Sequence, residues 1–261
     1  ISANGSGNVL VQTLGSGTDI TANADVTSGT GNISVLAAED VTFTGTSDIL
    51  TTADGTIDVE AGTNGGSGVV NANAGNITMS PTSVFRTSGA DGDIRLLAYN
   101  DVVVGDIETP NADVSITATN GSITDADVVT TTNDSDIDVT ADRLRMVAGV
   151  GIGETVDHLE TTAGTLSARA TSGGIFVLES DALAVDDVDA TVHRVLSDAS
   201  TSDVTDATQS DVRTTSGDGD IVVRTTAGDM TLNDGTQPDD DTAISANGSG
   251  NVLVQTLGSG T

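Results

Sequence analysis

The 261-residue chain has no cysteine, no tryptophan and no lysine, and only three prolines. Without cysteine it can form neither a disulfide framework nor a thiolate metal centre. Without lysine, its positive charge rests on eight arginines set against 39 acidic residues, for a net charge of −31. That balance repels phosphate backbones and anionic membrane surfaces, so neither is expected as a partner. No apolar run approaches the roughly 18 residues needed to cross a bilayer, and no membrane insertion is expected in this segment. Chemistry is equally short of material. Two common nucleophiles are missing. The two histidines, His158 and His193, lack metalloprotease spacing, and neither a nucleophile elbow nor a phosphate-binding loop is present. The four aromatics, Phe43, Phe85, Tyr99 and Phe176, are scattered, whereas a sugar-cleaving cleft needs grouped ring platforms. Catalytic residues are therefore not expected.

High charge with few aromatics is also the composition of disordered chains, but the apolar residues here are too regular for that. The first regularity is long. Residues 1–18 read ISANGSGNVLVQTLGSGT, and residues 244–261 repeat them letter for letter at an offset of 243. The expected organisation is one tandem unit, 1–243, followed by the start of the next, 244–261. Targeting and anchoring segments are then expected elsewhere in a longer protein.

The second regularity is short. A turn ending in Gly, Asp or Asn is followed by apolar–x–apolar: GNVLV (Val9, Val11), GNISV (Ile33, Val35), GTIDV (Ile57, Val59), GNITM (Ile77, Met79), GDIRL (Ile94, Leu96), ADVSI (Val114, Ile116), SDIDV (Ile137, Val139), GTLSA (Leu166, Ala168), GDIVV (Ile221, Val223) and GNVLV again (Val252, Val254). A weaker match, TVHRV, places Val192 but puts Arg194 on the inward phase. In a strand, residues i and i+2 share a face, so Ile57 and Val59 point inward and Asp58 and Glu60 to water. Likewise Ile137 and Val139 point inward, and Asp138 and Thr140 outward. Helical spacing is missing. The phrase returns once per coil, so the strands stack as parallel sheets rather than hairpins. The expected fold is an all-β parallel β-helix of about ten coils of roughly 24 residues, with three short strands per coil. Ten coils close on the long repeat, which would place Val9 and Val252 in equivalent inward positions. Longer coils push out loops, expected at 147–165, 197–219 and 233–243.

The residue before the first strand is usually Asn8, Asn32, Asn76, Asp93, Asp113, Asp136, Asp220 or Asn251. One reading is turn chemistry, in which these side chains hydrogen-bond locally and up and down the stack. The other is Ca²⁺, a hard cation that takes oxygen ligands. On that reading the candidate ligands are Asp93, Asp113, Asp136 and Asp220, with Asp239, Asp240 and Asp241 from the loop GTQPDDD. No cofactor is otherwise required. The acidic surface also resembles that of proteins adapted to salty water. N-x-[ST] sequons occur at Asn4, Asn32, Asn76, Asn120, Asn133 and Asn247.

The phrases GNISVLAAEDVTFTG, GDIRLLAYNDVVVGDIET and residues 150–185 resemble filamentous haemagglutinin-like and other giant bacterial β-solenoid surface proteins. The resemblance implies a right-handed parallel β-helix, secretion to the cell surface, and a role in adhesion or in building a fibre. Near-perfect tandem copying favours a fibre, whose partners would be neighbouring copies of the repeat in the chain and lateral copies beside it. The alternative is an adhesin stalk whose loops bind a glycan or protein. A polysaccharide-active β-helix enzyme is the third reading.

Overall fold

A computed structural model describes residues 1–62, 74–127 and 136–258. The sequon at Asn133 lies outside them. The described residues form 24 strands and no helix. All but two of the strands run parallel to their partners, in ladders that follow the turn–strand phrase.

The ladders form three columns of inward side chains. The first runs Val9, Ile33, Ile57, Ile94, Val114, Leu144, Leu166, Val185, Leu232. The second runs Ile20, Val41, Ile77, Val102, Ile123, Ile152, Ile175, Ile221, Val252. The third runs Val26, Ile49, Phe85, Ile107, Val139, Thr161, Glu179, Thr225, Thr256. Branched side chains at every second position fit a pleated surface and fill the interior. Most rungs of the first two columns are fully buried. Columns two and three meet in the middle, where Phe43 and Phe85 pack edge to face with ring centres 4.8 Å apart.

These ladders correct the single-file reading of the ten phrases. Ile77 belongs to the second column, between Val41 and Val102. Ile137 lies outside any strand, and Leu144 takes the rung above Val114. Val9 and Val252 are also not equivalent: Val9 starts the first column and Val252 ends the second. Turn lengths vary, so a phrase can fall on a different face while its local alternation is preserved.

Two expected loops are corrected as well. Leu159–Ala170 is a 12-residue strand inside the stack, so 147–165 is not one loop. Its Thr161 takes the rung above Val139 and donates to Glu179 Oε2 at 2.7 Å. Thr201–Gln209, within 197–219, is a strand that pairs antiparallel with Val188–Val195. Among the described residues one hairpin therefore exists, and the TVHRV match is part of it rather than a rung. In 233–243, by contrast, no strand forms.

The hairpin leaves where the first column splits. Leu166 pairs with Val185 while Ala168 pairs with Val212, and residues 186–211 exit between them. At the same level the second and third columns fuse into one strand: Ile175 stacks on Ile152, and Val177 in the same strand stacks on Leu159.

Turns stack as closely as strands. A Cβ on Gly31 would collide with the carbonyl of Gly7 in the coil below, so the chain needs glycine there. Asn and Asp before the strands act as caps between coils. Asn8 Oδ1 accepts from the Asn32 amide at 2.9 Å, and Asn32 Oδ1 from the Thr56 amide at 2.9 Å. Asp40 Oδ1 accepts from Asn76 N at 2.8 Å, and Asp101 Oδ1 from Ser122 N at 2.8 Å. In each pair the earlier coil holds the amide of the next. Two sequon asparagines, Asn32 and Asn76, are half-buried with their side chains committed to this relay.

Candidate functional site

The hairpin lies back along the outer side of the first column as a strap. In its first arm the side chains of Val188, Ala190, Val192 and Arg194 are buried, the period-two set that faces the solenoid. The alternate amides also donate into the solenoid: Thr191 N to Asp93 Oδ2 at 2.8 Å, His193 N to Thr56 Oγ1 at 2.8 Å and Val195 N to Ser34 Oγ at 2.9 Å. Each step of two residues advances ~6.6 Å against a rung spacing of ~4.8 Å, so the arm crosses the rungs obliquely. The tip reaches the first coil, where Asn8 Nδ2 donates to Ala199 O at 3.2 Å. The second arm is tied near its end by Gln209 Nε2, which donates to Met146 O at 3.1 Å.

Beneath the strap is a buried charge network. Arg95 Nη1 donates to Asp58 Oδ1 at 3.0 Å and to Glu60 Oε1 at 2.6 Å, and Arg95 Nε to Asp206 Oδ1 at 3.0 Å. Arg194 Nε reaches the other Asp58 oxygen at 2.7 Å, and its Nη2 also pairs with Glu60. Ser115 Oγ donates to Asp206 Oδ2 at 2.6 Å. Asp58 is fully buried and Glu60 1% exposed, which corrects the expectation that both point to water. They do face away from the core, but the strap covers them. Burial alone would lower the Arg95 guanidinium; Asp58, Asp206 and Glu60 hold it above its ordinary value. Burial would raise Asp206, but Arg95 and Ser115 hold its carboxyl below the usual range. The arginines thus face the buried carboxylates, as buried charges require, with Glu60 Oε2 left without a hydrogen bond. A smaller pair on the strap joins His193 Nδ1 to Asp203 Oδ1 at 2.8 Å.

The carboxylates expected from the sequence as Ca²⁺ ligands are spread over the molecule. Asp93 Oδ1 accepts from Asp113 N at 3.0 Å while its Oδ2 holds the strap. Asp113 pairs through both oxygens with Arg143. Asp220 Oδ1 accepts from Asn251 N at 2.7 Å and Nδ2 at 2.9 Å, the inter-coil relay again. Asp239, Asp240 and Asp241 are exposed in a loop wound around Asp234, whose Oδ1 accepts from Asp240 N and Thr242 N. Asp136 is exposed at the rim of an acidic cavity.

Different carboxylates converge. Among the described residues, Asp125, Asp138 and Glu160 each place an oxygen within 4.8 Å of the others, and all three are buried. Asp138 was expected to face water. Instead the coil carrying Glu160 stacks on it, and Glu160 N donates to Asp138 Oδ2 at 2.7 Å. No motif announces this group, because Asp125 and Asp138 flank one corner of a coil 13 residues apart and Glu160 comes from the next coil, where Thr161 stacks on Val139. Only TDAD and SDID, two Asp-rich stretches flanking 128–135, mark the place in the sequence.

Comparison with protein-family models, curated proteins and solved structures finds no match for this chain.

Proposed function

We propose that this chain is a length-giving segment of an extracellular, cell-surface fibre, built from tandem 243-residue units in a right-handed solenoid. The observation that carries the reading is the 18-residue repeat, whose second copy joins the same stack as one more rung: Val252–Thr256 pairs in parallel with Ile221–Thr225. Handedness follows the general rule for crossovers between parallel strands.

The columns also give the unit a size. Val252 stands eight rungs above Ile20 in the second column, whereas its sequence counterpart Val9 stands in the first. One unit therefore spans eight coils and a fraction, rather than ten. The fraction sets the next unit's first column over the fused second and third columns, so its strap starts on the opposite side. Alternating straps would stiffen a rod on both sides and give lateral copies two faces to meet.

The strap network supports a mechanical role over a chemical one. Its charged groups are neutralised, buried and locked to the scaffold, whereas a reacting group needs access. An adhesin stalk would share this architecture and differ in its distal domain.

Electron microscopy of chains with one to four tandem units tests the proposal. Each added unit should lengthen a rod of constant width by roughly 40 Å, at ~4.8 Å per coil. Compact particles, or units that tumble independently as beads, would sink it.

A further inference from the structure

The buried carboxylates at the corner between the second and third columns are the strongest unexplained feature of the molecule. Asp125 ends the strand Ile123–Asp125, Asp138 precedes Val139–Ala148, and Glu160 is the second residue of Leu159–Ala170. Asp125 is 6% exposed, Asp138 6% and Glu160 2%. Backbone amides take part of their capacity: Asp127 N donates to Asp125 Oδ1 at 2.8 Å, and Glu160 N to Asp138 Oδ2. Asp125 Oδ2 is fully buried and receives no donor. The charges acting on Asp138 are themselves carboxylates, Asp125 and Glu160. The contrast with the strap network is direct, since there every buried carboxylate faces an arginine.

Like charges this close cannot all stay ionised in a dry site unless a cation joins them. Their oxygens lie within 4.8 Å of one another, close enough for one cation to bridge all three, and a hard divalent cation is the one that takes carboxylate oxygens. Beside the group is a cavity of about 350 Å³ lined by Asp106, Glu108, Asp127, Asp136 and Thr140 as well as Asp125 and Asp138. It supplies an anionic entrance and room for the waters that would complete the shell.

We propose that Asp125, Asp138 and Glu160 bind one hard divalent cation, which enters through the acidic cavity and pins two successive coils together. This site is separate from the Asp residues that cap strands, and it does not depend on the fibre reading.

Titration calorimetry of the 261-residue chain with CaCl₂ tests this, run in high NaCl so that diffuse attraction to the surface is screened. One saturable equivalent is expected. The melting temperature should rise with CaCl₂ and fall back with a chelator. Asp125→Asn and Glu160→Gln should lose the saturable equivalent, and Asp220→Asn should keep it. Lack of saturable binding, or binding unchanged in Asp125→Asn, would each overturn the proposal. Should the two variants fail to fold, saturable binding and the CaCl₂-dependent rise in melting temperature of the unaltered protein decide.

Discussion

Arg194 and Asp58 are 136 residues apart in the chain, and their side chains meet at 2.7 Å. One belongs to a strap that leaves the solenoid near its eighth coil, the other to a rung near its start. Their contact closes a loop over most of the stack. Replacing Arg194 with Ala would leave Asp58 and Glu60 with Arg95 as their remaining arginine under a strap that still excludes water. Breaking one side of a buried pair costs about 3–5 kcal/mol. Urea denaturation of Arg194→Ala should show a loss of that size, and a loss below about 1 kcal/mol, the range of exposed pairs, would mean that water reaches the network.

The Asn relay makes a graded prediction. Asn32 Oδ1 accepts from both the amide and the hydroxyl of Thr56, at 2.9 and 3.1 Å. Thr56 is fully buried, so Asn32→Ala would strand its amide at a cost of about 1–3 kcal/mol. Asn32→Asp keeps an acceptor and should retain most of the stability. Equal losses in the two variants, measured by thermal melts, would show that the acceptor is not what matters.

Gly31 tests coil-to-coil contact. Its hydrogen faces the Gly7 carbonyl, and an added methyl group must push the two coils apart. Overpacking of this kind costs about 1–3 kcal/mol. Gly31→Ala should melt lower than the parent, whereas Gly45→Ala meets no neighbour in space and pays only for its left-handed backbone, φ 60°.

Stability should fall as pH rises. Burial pushes the Glu179 carboxyl up to about 7, and burial together with Glu108 does the same for Asp106. The folded chain thus keeps protons that the unfolded chain releases above its ordinary carboxylate values near ~4. The stabilisation from these groups is complete below ~4 and is lost as pH climbs through about 7. Asp138 extends the loss beyond neutrality. Asp206, held low, acts the other way, but its contribution disappears only as pH falls below ~4. Self-repulsion of a surface with net charge −31 adds to the decline. Melting temperatures in chelator at fixed ionic strength should drop between about pH 5 and pH 8. A rise across that range would contradict the burial of these carboxyls.

What the sequence determined is local. Alternation of Val and Ile with polar residues, broken by Gly and Asx turns, dictates strands and parallel stacking, because every second side chain must leave water. The Asn and Asp positions before strands were legible for the same reason: a short polar side chain beside a turn reaches a backbone amide. Tertiary structure decided which face each phrase occupies, since column membership depends on the accumulated length of every turn before it. It therefore moved Ile77 to the second column and separated Val9 from Val252. It also decided which outward acids stay in water. Asp58, Glu60 and Asp138 carry the same period-two signal as any exposed strand residue. What buries them is a strap arriving from more than a hundred residues away or, for Asp138, a coil stacked directly above. Alternation reports which side of a strand a residue takes; what covers that side is set by distant chain.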